Sequence, residues 1–127
     1  MQDKVTFEYA MIRFMPKVER EEFFNIGVIV FSKRKKFLAL KYHVDAKKLA
    51  AFSCEITCDE LNTYLHAWEN ICKGAPHGGK IGTFERSDRF RWLAASKSTM
   101  ILCSPTHAGL TDNPQRELDA IFEEYVL

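Results

Sequence analysis

An arginine, a glutamate, an asparagine and a glycine crowd into the run Arg20-Glu21-Glu22-Phe23-Phe24-Asn25-Ile26-Gly27-Val28, where a polar loop enters an apolar segment. Polar groups at a strand entrance either satisfy backbone donors and acceptors locally or form a recognition site, because unpaired ones would cost about 1–3 kcal/mol each. In the first use, Arg20 and Glu22 pair to brace the turn, Asn25 supplies an Asx-type hydrogen bond, and Gly27 permits a close backbone approach or a bulge. In the second, Arg20, Glu22 and Asn25 join Arg13 and residues of the later block around Arg89 to His107 and bind an anionic group or a partner's backbone. The structural use is the commoner one, since polar clusters at strand ends occur without catalysis.

Arg89, Arg91, Trp92, Ser98, Ser104 and His107 make a second constellation. On a strand, Arg89 and Arg91 would share one face, able to hold a phosphate or stack on an aromatic ring. The plain alternative is a solvated strand face with Trp92 in the core. Ser104 with His107 could be read as nucleophile and base, but no orienting acid or oxyanion hole stands at recognisable spacing. An enzyme acting on a phosphorylated small molecule would use Arg20 and Arg91 as clamps and His107 as acid/base.

Three weaker patterns remain. Gly74-Ala75-Pro76-His77-Gly78-Gly79-Lys80-Ile81 approaches a nucleotide-binding loop, yet Ile81 offers no hydroxyl for magnesium, Pro76 removes an N–H, and a helix precedes it. It is expected to be a flexible connector. Cys54, Cys58 and Cys72, with His43, His66 and His77, raise zinc, but Cys58 and Cys72 fall about 21 Å apart along one helix. No metal and no cofactor is expected. Lys33-Arg34-Lys35-Lys36 is the densest charge cluster, a solvated hairpin turn by default and otherwise a sequence-blind contact to nucleic-acid phosphates.

The elements that must position these groups follow from composition and periodicity. At 127 residues the chain is expected to form one domain, residues 1–127, and its 46% hydrophobic content with ten Phe supplies a core. Lys+Arg 18 against Asp+Glu 17 gives no global electrostatic case for nucleic acid or a membrane surface. The first 15 residues carry charge and lack a signal-like apolar stretch, and no apolar run is long enough to span a bilayer. A reducing cytoplasm with free thiols is the expected setting.

Strands are predicted over 5–14, 24–31 and 37–42, the second apolar on both faces, with Ile26, Val28 and Val30 on one and Ile29 and Phe31 on the other. Asp45 caps a short helix carrying Leu49 and Phe52. Thr57 and Glu60 form a capping box for a helix whose stripe is Leu61, Tyr64, Leu65, Trp68, Ile71 and Cys72, ended by Gly74 and Pro76. Two short strands are predicted at 90–93 and 99–103 around Ser96-Lys97-Ser98, followed by a loop from Pro105 to Asn113. Asn113 and Pro114 open a last helix with Leu118, Ile121, Phe122 and Tyr125 on one face. The order β-β-β-α-α-β-β-α points to an α+β fold with a largely antiparallel sheet covered by helices.

Two blocks carry a family resemblance. Tyr9-Ala10-x-Ile12-Arg13-Phe14 followed by Arg20-x-Glu22-x-x-Asn25-Ile26-Gly27-Val28 resembles the start of the bacterial domain of unknown function 3037 family (DUF3037). Arg89-Phe90-Arg91-Trp92-Leu93-Ala94-Ala95, with Ser98, Ser104-Pro105, His107 and Gly109, is similar to its second half, as is the closing helix with Pro114, Leu118, Phe122 and Val126. The chain departs in having Asn113 where Asp is common and Lys97 where Arg is usual. Asn caps a helix as well as Asp, whereas Lys weakens any bidentate anion contact. The resemblance implies a small accessory protein with a protein partner, a HipA-like kinase being the candidate. The expected function is therefore a cytoplasmic, non-catalytic protein-binding module. The alternative is nucleic-acid or phosphate-ligand binding through the basic turn and the Arg-rich strand.

Overall fold

A computed structural model describes residues 4–52, 55–95 and 100–127. Its centre is a five-stranded antiparallel sheet built on the first strand, β1 (Val5–Phe14), whose aromatic and β-branched residues suit a pleated, half-buried surface. β2 (Phe24–Ser32) pairs with β1 along its length, and β3 (Phe37–Tyr42) pairs with β2 across the charged hairpin. The other edge of β1 is shared by two short strands. β4 (Ile101–Cys103) pairs with Ile12 to Phe14, and β5 (His107–Thr111) with Val5 to Tyr9.

Helices cover both faces. α1 (Ala46–Ala51), α2 (Cys58–Lys73) and α3 (Arg86–Ala95) supply one side, where Leu61, Leu65, Trp68, Phe90 and Leu93 meet Ile12, Phe14, Ile29 and Phe31. α4 (Pro114–Tyr125) supplies the other, setting Leu118 and Phe122 on Phe7, Met11, Val28 and Val30. β1 alternates accordingly, even positions toward α2 and α3, odd positions toward α4.

Local chemistry fixes the helix starts as the sequence predicts. Asp45 accepts from the N–H groups of Lys47 and Lys48. Thr57 and Glu60 close a reciprocal capping box. Asn113 accepts from the Arg116 N–H with Pro114 in the first turn. At the end of α2, Gly74 sits at φ 91°, a conformation open to glycine at little cost.

The fold class is as expected, but five local expectations change. The segment expected as a strand at 90–93 is the middle of α3, so the order becomes β-β-β-α-α-α-β-β-α. Part of the expected loop 105–113 is β5, because the exposed edge of β1 offers it a ladder. Ile26 leaves the Val28 and Val30 face. Ile12 pairs with Gly27 and Arg13 with Asn25, so Ile26 is the extra residue of a β-bulge and turns inward beside Ile29 and Phe31. The glycine loop folds back on itself, with Gly78 N–H donating to Gly74 and Gly82 N–H to Gly78, and is less free than its composition implies. Tyr64 and Tyr125, placed on apolar stripes, stand half-exposed. The expected turn at 96–98 and Thr99 lie outside the described residues. Among the described residues, no helix is long and apolar enough to cross a membrane.

Candidate functional site

The β1–β2 connection builds the polar end of the sheet. After Phe14 and Pro16 the chain makes a 3-10 turn (Val18–Arg20), passes Glu21 at φ 54°, and enters β2. Arg20 Nε lies 2.8 Å from Glu22 Oε1, both side chains more than half exposed. Such a pair contributes little to stability, so its effect is to shape the loop. With Lys17, Ala51 and Phe52 it bounds a hollow of about 180 Å³. The Phe52 ring packs at a tilt against Phe24, centroids 4.8 Å apart, which anchors this side to the core.

The opposite face of the same end holds Arg13 and Asn25, brought side by side by the bulged register. Arg13 carries its guanidinium 4.3 Å above the Phe23 ring. The Asn25 amide donates 3.2 Å to the Tyr125 carbonyl, tying β2 to the last turn of α4. Arg13 Nε is buried and donates to nothing in the described structure. A cation–π contact of about 0.5–2 kcal/mol offsets part of the cost of that orphaned donor. Phe23, and Tyr125 and Leu127 at the end of α4, are large apolar side chains left 41%, 50% and 64% exposed.

The second constellation separates. Residues two apart on a helix point about 200° apart, so Arg89 and Arg91 do not share a face as a strand would have had them. Arg91 reaches β1 and grips Glu8 through two hydrogen bonds of 2.9 and 2.7 Å. The Glu8 hydrogen bond raises the Arg91 pKa above its ordinary value. Arg89 turns inward and is 7% exposed. It donates to the carbonyls of Ile71, Cys72 and Phe84 at 2.8, 2.7 and 3.0 Å, closing the C-terminal end of α2. Desolvation, then the nearby Arg86 guanidinium, lowers its pKa. Trp92, which the plain alternative puts in the core, is 44% exposed.

Ser104 is buried and its hydroxyl is engaged by the backbone. It accepts from Met11 N–H at 2.9 Å and donates to Pro105 O, while its own N–H donates to Met11 O. Ser104 thereby carries the ladder across the gap between β4 and β5. His107 is exposed, opposite Tyr9 with ring centroids 5.2 Å apart. Arg20 and Glu22 do not meet Arg91: Glu8, which holds Arg91, lies roughly 20 Å along β1 from the strand's far end.

Lys33, Arg34, Lys35 and Lys36 form the exposed β2–β3 turn, closed by Lys36 N–H on Lys33 O with Lys36 at φ 52°. Cys72 is buried and Cys103 partly buried, and desolvation pushes each thiol up to about 12. Among the described residues no three or more His, Cys, Asp or Glu side chains gather as a metal cluster; Cys54 and Ser98 lie outside them.

Phe23, Tyr125 and Glu8 belong to these sites without having been singled out in the sequence for them. A register between β1 and β2 would have found Phe23. Nothing local links Tyr125 to Asn25 or Glu8 to Arg91. A family model described as a protein of unknown function (DUF3037) matches residues 9–126. Comparison with curated proteins and with solved structures finds no match.

Proposed function

Because the chain belongs to the DUF3037 family of unknown function, we propose a role that its own surface supports: a cytoplasmic, non-catalytic binding module for a protein partner. The observation that carries this reading is Arg13, a guanidinium with a buried, acceptor-less Nε over half-exposed Phe23, its strand neighbour Asn25 tied to the last turn of α4, where Tyr125 is half-exposed. Arginine and aromatic side chains are the types that dominate binding energy when a partner excludes water from them. A partner carbonyl or carboxylate would meet the partly exposed Arg13 side chain, while its apolar surface covers Phe23, Tyr125 and Leu127.

A HipA-like kinase is the candidate partner on the strength of the family resemblance alone. Co-expression of the tagged chain with such a kinase from a neighbouring gene tests it. A stable complex is expected, lost in Phe23→Ser and Arg13→Gln variants that keep the circular dichroism of the parent. A chain that stays alone at micromolar concentration, or a complex indifferent to both substitutions, overturns the assignment.

A further inference from the structure

At the opposite end of β2, the basic hairpin faces the start of α3 across an open cleft of about 390 Å³. Phe31 and Lys33 line it from the hairpin, Arg86, Ser87 and Arg89 from the helix, and Glu85 from just before it. This brings together Lys33 and Arg89, named from the sequence, with Arg86, which the sequence reading passed over.

Three cations against one carboxylate make an unusual wall for a cleft of this size. Among the described residues, Lys33, Arg86 and Arg89 form no ion pair. Arg89 is more than nine-tenths buried, and its three hydrogen bonds go to neutral carbonyls through Nε and Nη1. No carboxylate balances its charge, and its Nη2 has no acceptor among the described residues. Arg86 lies near enough to depress the Arg89 pKa by like-charge repulsion, after desolvation. Like charges held together in a partly desolvated wall are costly unless an anion joins them. Ser87 in the first turn of α3 adds a hydroxyl and a backbone N–H at the positive end of the helix dipole.

We propose that this cleft binds a phosphate monoester on a small molecule, its dianion held between Lys33 and Arg86 with Arg89 behind. The excess of two positive charges matches a dianion, and the volume suits a compact ligand of sugar-phosphate or nucleotide size. Guanidinium forks supply the geometry for phosphate oxygens and Lys33 a movable point charge. The site is independent of the Arg13 surface, at the other end of the same strand.

Calorimetric titration at low, matched ionic strength tests it, with inorganic phosphate, glucose 6-phosphate, adenosine monophosphate and adenosine as probes. Arg89 is left intact because it closes α2. Lys33→Gln with Arg86→Gln alters two exposed side chains on the cleft, while Arg34→Gln with Lys35→Gln removes the same charge from the adjoining turn. Phosphate-bearing probes are expected to bind, with a loss of about tenfold or more in the first double variant and little change in the second. A shared affinity for all three phosphates identifies the phosphate as the recognised group, and a preference for one organic ester identifies its carrier. No binding, equal binding of adenosine, or equal loss in both double variants overturns the proposal. Tighter binding of an oligonucleotide lacking terminal phosphates would overturn it in favour of a nucleic-acid backbone.

Discussion

Replacing Arg89 by Met should destabilise the protein by about 3 kcal/mol, and the figure follows from which carbonyls lose their donors. The Arg89 side chain serves Ile71 O, Cys72 O and Phe84 O. Ile71 O keeps a second donor, the Gly74 N–H at 3.1 Å. Cys72 O does not gain one from the residue four positions on, because that residue is Pro76 and has no N–H. Two carbonyls are therefore orphaned, each at roughly 1–3 kcal/mol, and relief from burying a guanidinium returns part of the sum. Urea denaturation should show the midpoint falling by about 1–2 M with an unchanged slope. Arg89→Lys keeps the charge but not the fork and should lose about half as much. A Met variant within ~1 kcal/mol of the parent, or a Lys variant equal to it, would refute the capping role.

Trp68→Ala should cost about 3–5 kcal/mol in the same assay, since Trp68 is buried between α2 and the sheet. Thr57→Ala removes the acceptor for Glu60 N–H and should cost about 1 kcal/mol, read by thermal or urea unfolding. Gly27→Ala should destabilise by more than about 1 kcal/mol, because a Cβ there would stand 2.9 Å from Lys41 O and 3.1 Å from Tyr42 Cβ. Cys72 and Cys103 titrate near 12 when folded but near 9 when exposed, so the folded state holds more protons between those values. Their contribution is complete below about pH 9 and is lost as pH rises toward 12. Stability measured at pH 8 and pH 10 should drop by roughly 1–3 kcal/mol, less in a Cys72→Ala, Cys103→Ala variant; equal losses would count against it.

The helix starts were legible because capping is settled within four residues, as at Asp45, Thr57 and Asn113. The segment around α3 was not. Phe90-Arg91-Trp92-Leu93 has the aromatic density of a strand, and its helical period is obscured by a buried arginine at 89 and an exposed tryptophan at 92. Tertiary contacts decided both, Arg89 through the end of α2 and Phe90 through Phe31, their rings 5.2 Å apart. His107-Ala108-Gly109-Leu110-Thr111 has weak strand composition and becomes β5 because β1 presents an unpaired edge. The Arg20–Glu22 pair could be foreseen from spacing. The nearness of Arg13 to Asn25 could not, because a bulge shifts the register. Arg86 escaped notice because a strand at 90–93 leaves it in a connector, far from Lys33.

One flank of β1 waits for residues synthesised some ninety positions later, since β4 and β5 zip onto it in tandem. During translation, the hairpins of β1, β2 and β3 can form early, while Val28, Val30 and Phe7 have no α4 to cover them. A nascent chain in that condition presents an adhesive ribbon with an open side, so chaperone occupancy should persist until α4 leaves the ribosome. Shortening the molecule from its C-terminal end would thus strand the first hairpin in that sticky form rather than yield a smaller folded unit.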